Sequence, residues 1–76
     1  MTTLPADEQL RTQTRAAVQQ APISQAEIAR QLGVSTKHLN QMLLGHAPLS
    51  LIWAEGILGL CGMEVEVTVR PEKRHP

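Results

Sequence analysis

Residues 25–44 read QAEIARQLGVSTKHLNQMLL, two short runs of helical apolar spacing broken at Gly33. The first run opens on a start signal. Ser24 followed by Glu27 has the spacing of a capping box, in which the hydroxyl accepts the Glu27 amide and the carboxylate reaches back to the start of the helix. Ile23 and Ile28 hold the two positions of a hydrophobic staple, Ile28, Ala29 and Leu32 supply a buried face, and Gly33 stops the helix by accepting a left-handed conformation. Only two residues later Ser35 offers a second cap and Val34 with Leu39 a second staple. Leu39, Met42 and Leu43 recur at i, i+3 and i+4, and Gly45 ends the segment. Helices joined by so short a connection cannot run back along one another. They cross steeply, as in a helix-turn-helix unit, here spanning 24–45.

Outward from this unit the signals continue. Pro5, with Asp7 and Glu8 behind it, begins a helix that runs to about Gln20, with Leu10, Thr14, Ala17 and Val18 on one face. Ala21-Pro22 closes it, because the residue before proline avoids the helical region. A fourth helix is expected from Ser50 to near Gly62. Trp53, Ile57, Leu60 and Cys61 form one apolar face and Leu51, Ala54 and Leu58 another, so it needs cover on both sides. Trp53 reads as core and Cys61 as buried filler. From Met63 to Arg70 the sequence alternates apolar and polar residues, the signature of a half-buried strand. The expected fold is therefore mainly α: a single four-helix domain followed by one C-terminal β-strand that pairs across a dimer. Residues 50–70 would form the dimerisation helix and strand, and 71–76 a basic tail.

Composition narrows the setting. A chain of 76 residues buries only roughly 60–65% of its unfolded surface, so a lone core is marginal and pairing would help it. With one Trp and no Tyr or Phe, core and interface must be aliphatic. Cys61 is the only cysteine, which rules out an intrachain disulfide and suits a reducing compartment. The opening MTTLPADEQL lacks the regions of a secretory signal and no run is long enough to cross a bilayer, so a cytoplasmic protein without membrane association is expected. Formal charge is zero, against the basic balance usual in nucleic-acid binders. Yet no acidic residue falls between Ile28 and Ala54, a window that holds Arg30, Lys37, His38 and His46.

The small Ala29 within the first helix of the unit, Gly33 in the turn and apolar Ile28, Leu32, Val34, Leu39 and Met42 together resemble the Cro/cI-type helix-turn-helix family of phage and bacterial repressors, in particular its Cro-like branch with a C-terminal dimerisation strand. The likeness runs from about Ile23 to Gly62. It implies a homodimer that binds a double-stranded DNA operator and represses transcription in a prokaryotic or phage-infected cell. The helix 35–44 would be the recognition helix, with Thr36, Lys37, Asn40 and Gln41 at base edges in the major groove. Gln25, Ser35, His38 and His46 would meet backbone phosphates.

A lone strand cannot fill its own hydrogen-bond ladder, and Thr2–Leu4 is too short to partner it. Antiparallel pairing of 63–70 across a two-fold axis is therefore expected, with Glu64, Val65, Val67, Val69 and Arg70 at the interface. Centring on Val67 sets Glu64 opposite Arg70 of the mate, whereas centring on Thr68 sets it opposite Glu72, a like-charge pair. Two other readings stand beside this one: an antitoxin-type autoregulator that binds DNA and a protein partner, and a protein-interaction module on the same scaffold. Arg70, Lys73, Arg74 and His75 fit either a DNA-contacting arm or a solubilising end. His38, His46 and His75 have no zinc-ligand spacing among themselves or with Cys61, so no metal or other cofactor is expected. The Glu64/Glu66 pair reads as a solvated face, and neither an enzyme nor a small-molecule substrate is indicated.

Overall fold

The computed structural model describes residues 5–72, which form four helices: α1 (Ala6–Gln20), α2 (Gln25–Leu32), α3 (Thr36–Leu44) and α4 (Leu51–Leu60). Three of the four begin at a serine. The Ser24 Oγ accepts the Glu27 N–H at 3.1 Å, Ser35 Oγ the His38 N–H at 3.0 Å, and Ser50 Oγ the Trp53 N–H at 3.2 Å. Each such cap contributes about 1 kcal/mol. The capping box at α2 forms only by half. Glu27 does not bond the start of its helix; its carboxylate accepts from Arg30 Nε at 3.0 Å and Gln31 Nε2 at 2.8 Å. A guanidinium is a stronger donor to a carboxylate than a neutral backbone N–H, so the i+3 arginine takes it.

The turns close as the glycines require. Gly33 takes φ 75° and Gly45 φ 90°, both left-handed. Behind Gly33, its own N–H donates to the Arg30 carbonyl at 3.2 Å and the Val34 N–H to the Ala29 carbonyl at 3.0 Å, the paired bonds of a Schellman motif. The Gln41 carbonyl likewise accepts the His46 N–H at 2.8 Å and the Ala47 N–H at 3.1 Å. Ala21, ahead of Pro22, lies in the extended region at ψ 147° and ends α1.

Helix α1 packs on α3 and α4, and α2 packs on the same two helices. Val18, Ile28, Ala29, Leu39, Met42, Leu43, Leu49, Ala54 and Ile57 are buried between them, an aliphatic core throughout. Thr14 is wholly buried from α1, and its hydroxyl donates to the Leu10 carbonyl at 2.7 Å, so the polar group is satisfied within its own helix. Trp53 is not among the buried residues. It is half-buried, packed against the core from outside, as are Leu60 and Cys61.

The expected C-terminal β-strand is absent. Residues 63–72 are neither helix nor strand, and no strand occurs among the described residues. The all-helical fold overturns the cross-dimer ladder and the register argued for it. Alternation specifies which face of a strand would be apolar, but a strand exists only where a second backbone fills its N–H and C=O groups. Among the described residues, the Met63 N–H to Leu58 carbonyl bond at 2.8 Å is the backbone bond that ties the start of this stretch to α4. The chain instead passes along α1 and α4, enclosing a groove of about 280 Å³ lined by Gln9, Leu10, Leu51, Leu58 and Val65. Val65 is half-buried there, while Val67 and Val69 stay exposed. The second face of α4 is thus covered in part from within the chain. Residues 1–4 and 73–76, including Thr2–Leu4 and the tail residues Lys73, Arg74 and His75, lie outside the described residues.

Two glycine substitutions test this account of the helices. Gly59 is helical, and a Cβ there would meet nothing within 4 Å. Gly59→Ala is expected to stabilise by about 0.5–1 kcal/mol, raising Tm by several degrees. Gly33→Ala also meets open space but carries the left-handed φ. Thermal melts should show it destabilised by about 1 kcal/mol.

Candidate nucleic-acid interface

Helix α3 divides cleanly into two sides. Leu39, Met42 and Leu43 face the core, while Thr36, Lys37 and Asn40 are exposed and Gln41 is half-buried. Thr36 with Asn40 and Lys37 with Gln41 are i, i+4 pairs, so the four expected base-reading residues share one face. Of these, Asn40 is already held. Gln25, the first residue of α2, donates from Nε2 to Asn40 Oδ1 at 3.3 Å, linking the start of one helix to the middle of the next. That contact leaves the Asn40 amide nitrogen as a donor with a fixed direction.

The four residues expected at phosphates divide by position. Gln25 lies beside Asn40, as stated. Ser35 uses its oxygen to accept the His38 N–H, which leaves its hydroxyl proton to donate outward. His38 is exposed on the first turn of α3, and its ring lies 6.4 Å from that of Trp53 on α4, tilted by 41°. His46 is exposed in the turn after Gly45, at the opposite end of α3 from Ser35. At 1.5 Å per residue the nine residues of α3 between them span on the order of 13 Å. Gln25, Ser35, Thr36, Lys37, His38 and Asn40 therefore gather around the first half of α3, and His46 stands apart. Of the residues expected at a dimer interface, Glu64, Val67, Val69 and Arg70 lie exposed on the irregular chain after α4, with Val65 turned into the groove.

Charge on the α2–α3 surface is unevenly committed. Arg30 is bonded to Glu27 through both ends of its guanidinium fork. Those bonds, then Gln31 and the Coulombic attraction of Arg30, hold the Glu27 carboxyl at about 2, well below the usual range, against a small opposing effect of burial. The same pairing raises Arg30. Lys37, by contrast, makes no ion pair among the described residues, and its charge projects from the exposed face of α3. Burial pushes the Cys61 thiol up, away from a reactive thiolate. No group of three potential metal-ligating side chains occurs among the described residues, and none of their helices is long and apolar enough to cross a membrane.

No protein-family model matches the chain, nor does a curated protein or a solved structure. An exposed polar helix face with one free cation, set in a stretch without carboxylates and with amides aimed outward, presents hydrogen-bond donors to an anionic partner.

Two features escape sequence reading. The Gln25–Asn40 bond joins residues 15 apart and depends on the crossing angle of α2 and α3. Trp53 reads as core from its apolar neighbours, yet it sits half out of the core against His38.

The Glu27 cluster has a titration signature. The depressed carboxylate favours the native state above its unfolded pKa of roughly 4.3. That contribution fades as pH falls from there through about 2. In Arg30→Ala, the Glu27 carboxyl should titrate several tenths of a unit or more above its wild-type position, read by carbon-detected NMR of the side chain. An unmoved titration would show that Arg30 is not the dominant partner.

Proposed function

We propose that this chain binds double-stranded DNA in a sequence-specific manner as a homodimer and represses transcription, with α3 in the major groove. The observation that carries the reading is the Gln25–Asn40 bond on an otherwise exposed, acid-free α3 face. An outward polar helix face is usually just solvated. A face whose central amide is held in place by a neighbouring helix is preorganised, which lowers the entropy lost on engaging a base edge. Asn and Gln can grip adenine, Lys can donate to guanine O6 and N7, and the Thr methyl suits thymine. Homodimerisation is supported by size and by the apolar side chains of Ile52, Val67 and Val69, 80%, 65% and 91% exposed. A closed pair of this kind calls for an inverted repeat, with recognition helices roughly 34 Å apart. Repression would follow from occupancy of the operator alone.

A second reading rests on the same exposed apolar residues together with zero net charge: a protein-interaction module on this scaffold. Salt separates the two, because phosphate contacts release counterions and apolar contacts do not.

The deciding experiment selects binders from a random duplex pool at two salt concentrations. Enrichment of an inverted repeat is expected. Gln41→Ala should relax preference at one position by about 1–3 kcal/mol per base pair, and Gln25→Ala at the position that Asn40 reads, because it frees that amide. Lys37→Ala should also reduce the salt slope by about one if its charge lies at a phosphate, or relax one base position if it reads guanine. No enrichment at low salt would remove the DNA reading and leave the interaction module.

A further inference from the structure

We propose that Trp53 is itself a DNA contact, donating its indole N–H to the sugar-phosphate backbone beside the start of α3; this rests on the DNA-binding reading above. The chain has a single Trp and no Phe or Tyr, yet it does not bury that one large ring. Leu39, Met42, Ala54 and Ile57 close the core completely, and the indole lies across its outer edge, half-exposed. A fully buried Trp normally finds an acceptor for its Nε1–H. Here the indole nitrogen has no acceptor among the described residues and is not sealed from solvent; the only unpartnered side-chain nitrogen or oxygen sealed off among them is Arg11 Nε.

The position of the ring decides where that donor can act. The indole lies against the imidazole of His38, 6.4 Å between centroids, within the range of a favourable aromatic pair. His38 is next to Lys37 on α3, one turn from Gln41, so the ring is carried at the margin of the face that would enter the groove. Its backbone is fixed as well, since the Trp53 N–H is bound by Ser50 Oγ at 3.2 Å. Trp53 also falls in the stretch from Ile28 to Ala54 that contains no carboxylate. The ring is thus packed against the core and tilted against His38, with a neutral donor left over for an anionic oxygen.

A neutral donor to a phosphate has a signature that a lysine lacks. It adds affinity on every sequence, because the backbone carries no base identity. It leaves the salt slope unchanged, because it releases no counterion. Trp53→Phe keeps a ring against His38 and removes only the donor and one ring. It is expected to weaken duplex binding by about tenfold on selected and random DNA alike, with the slope of affinity against salt as in the wild type. In the unaltered protein, the indole N–H resonance should move and its exchange with solvent should slow on addition of duplex. If Trp53→Phe folds poorly, that wild-type resonance decides the matter alone. Wild-type binding to duplex with an unresponsive indole N–H, or Trp53→Phe binding as tightly as the wild type, would overturn the proposal. A wild-type protein that binds no duplex at low salt would instead remove the DNA reading on which it rests.

Discussion

The left-handed turn at Gly33 sets the direction of everything that follows it. A two-residue link cannot reverse a helix; it can only swing the next one across. The Schellman bonds from Gly33 and Val34 satisfy the last carbonyls of α2 at once, so α3 starts again at Ser35 without a loop to cushion it. The small Ala29, 1% exposed, is the α2 residue that lets its neighbours close over the shared core. A larger side chain there would push the helices apart and turn the α3 face away from Gln25. The bond from Gln25 to Asn40 is therefore a consequence of this turn, and so is the direction in which Thr36 and Lys37 project.

Local chemistry explains why the helices are legible in the sequence. Serine caps, prolines and glycines act over three or four residues, and the four helices lie where those signals place them. The alternation from Met63 to Arg70 is just as regular, but it specifies a strand only if another backbone is present, and sequence pattern carries no information about that. Glu27 shows the same limit at smaller scale. Its spacing from Ser24 fits a capping box, yet Arg30 and Gln31 lie within reach and win the carboxylate. Trp53 was legible as apolar but not as half-exposed, because exposure at α4 depends on how far α3 approaches. The exposed residues of α3 could be listed from periodicity; that Gln25 holds one of them could not.

A neutral chain can present a basic face only by pairing its charges elsewhere. Glu27 and Arg30 cancel on α2, and Glu8 and Arg11 pair on α1. Of the acids in the second half, Glu55 is exposed on α4, and Glu64, Glu66 and Glu72 lie on the irregular chain beyond it. Lys37 is left with nothing to offset it on α3. On the DNA-binding reading proposed above, a single uncompensated lysine would give little counterion release, and most of the affinity would have to come from shape and neutral donors.

The far end of α3 is held in a different way from its start. Arg11 reaches from α1 and lies over Gly45: a Cβ there would stand in ordinary contact, 3.5 Å from Arg11 Cδ, Cζ and Nε. Its guanidinium pairs with Glu8, while Nε is buried without an acceptor. A buried unpaired donor on a cation normally costs stability. Its position at the carboxyl end of α3 offsets part of that cost, because the helix terminus carries partial negative charge that favours a cation. The arrangement ties α1 to the end of α3 through charge and close contact, while Ser35 and Gln25 fix the beginning through hydrogen bonds. With nine residues clamped at both ends, α3 has little freedom to rotate about its axis, so the face it shows to solvent is set before any partner arrives.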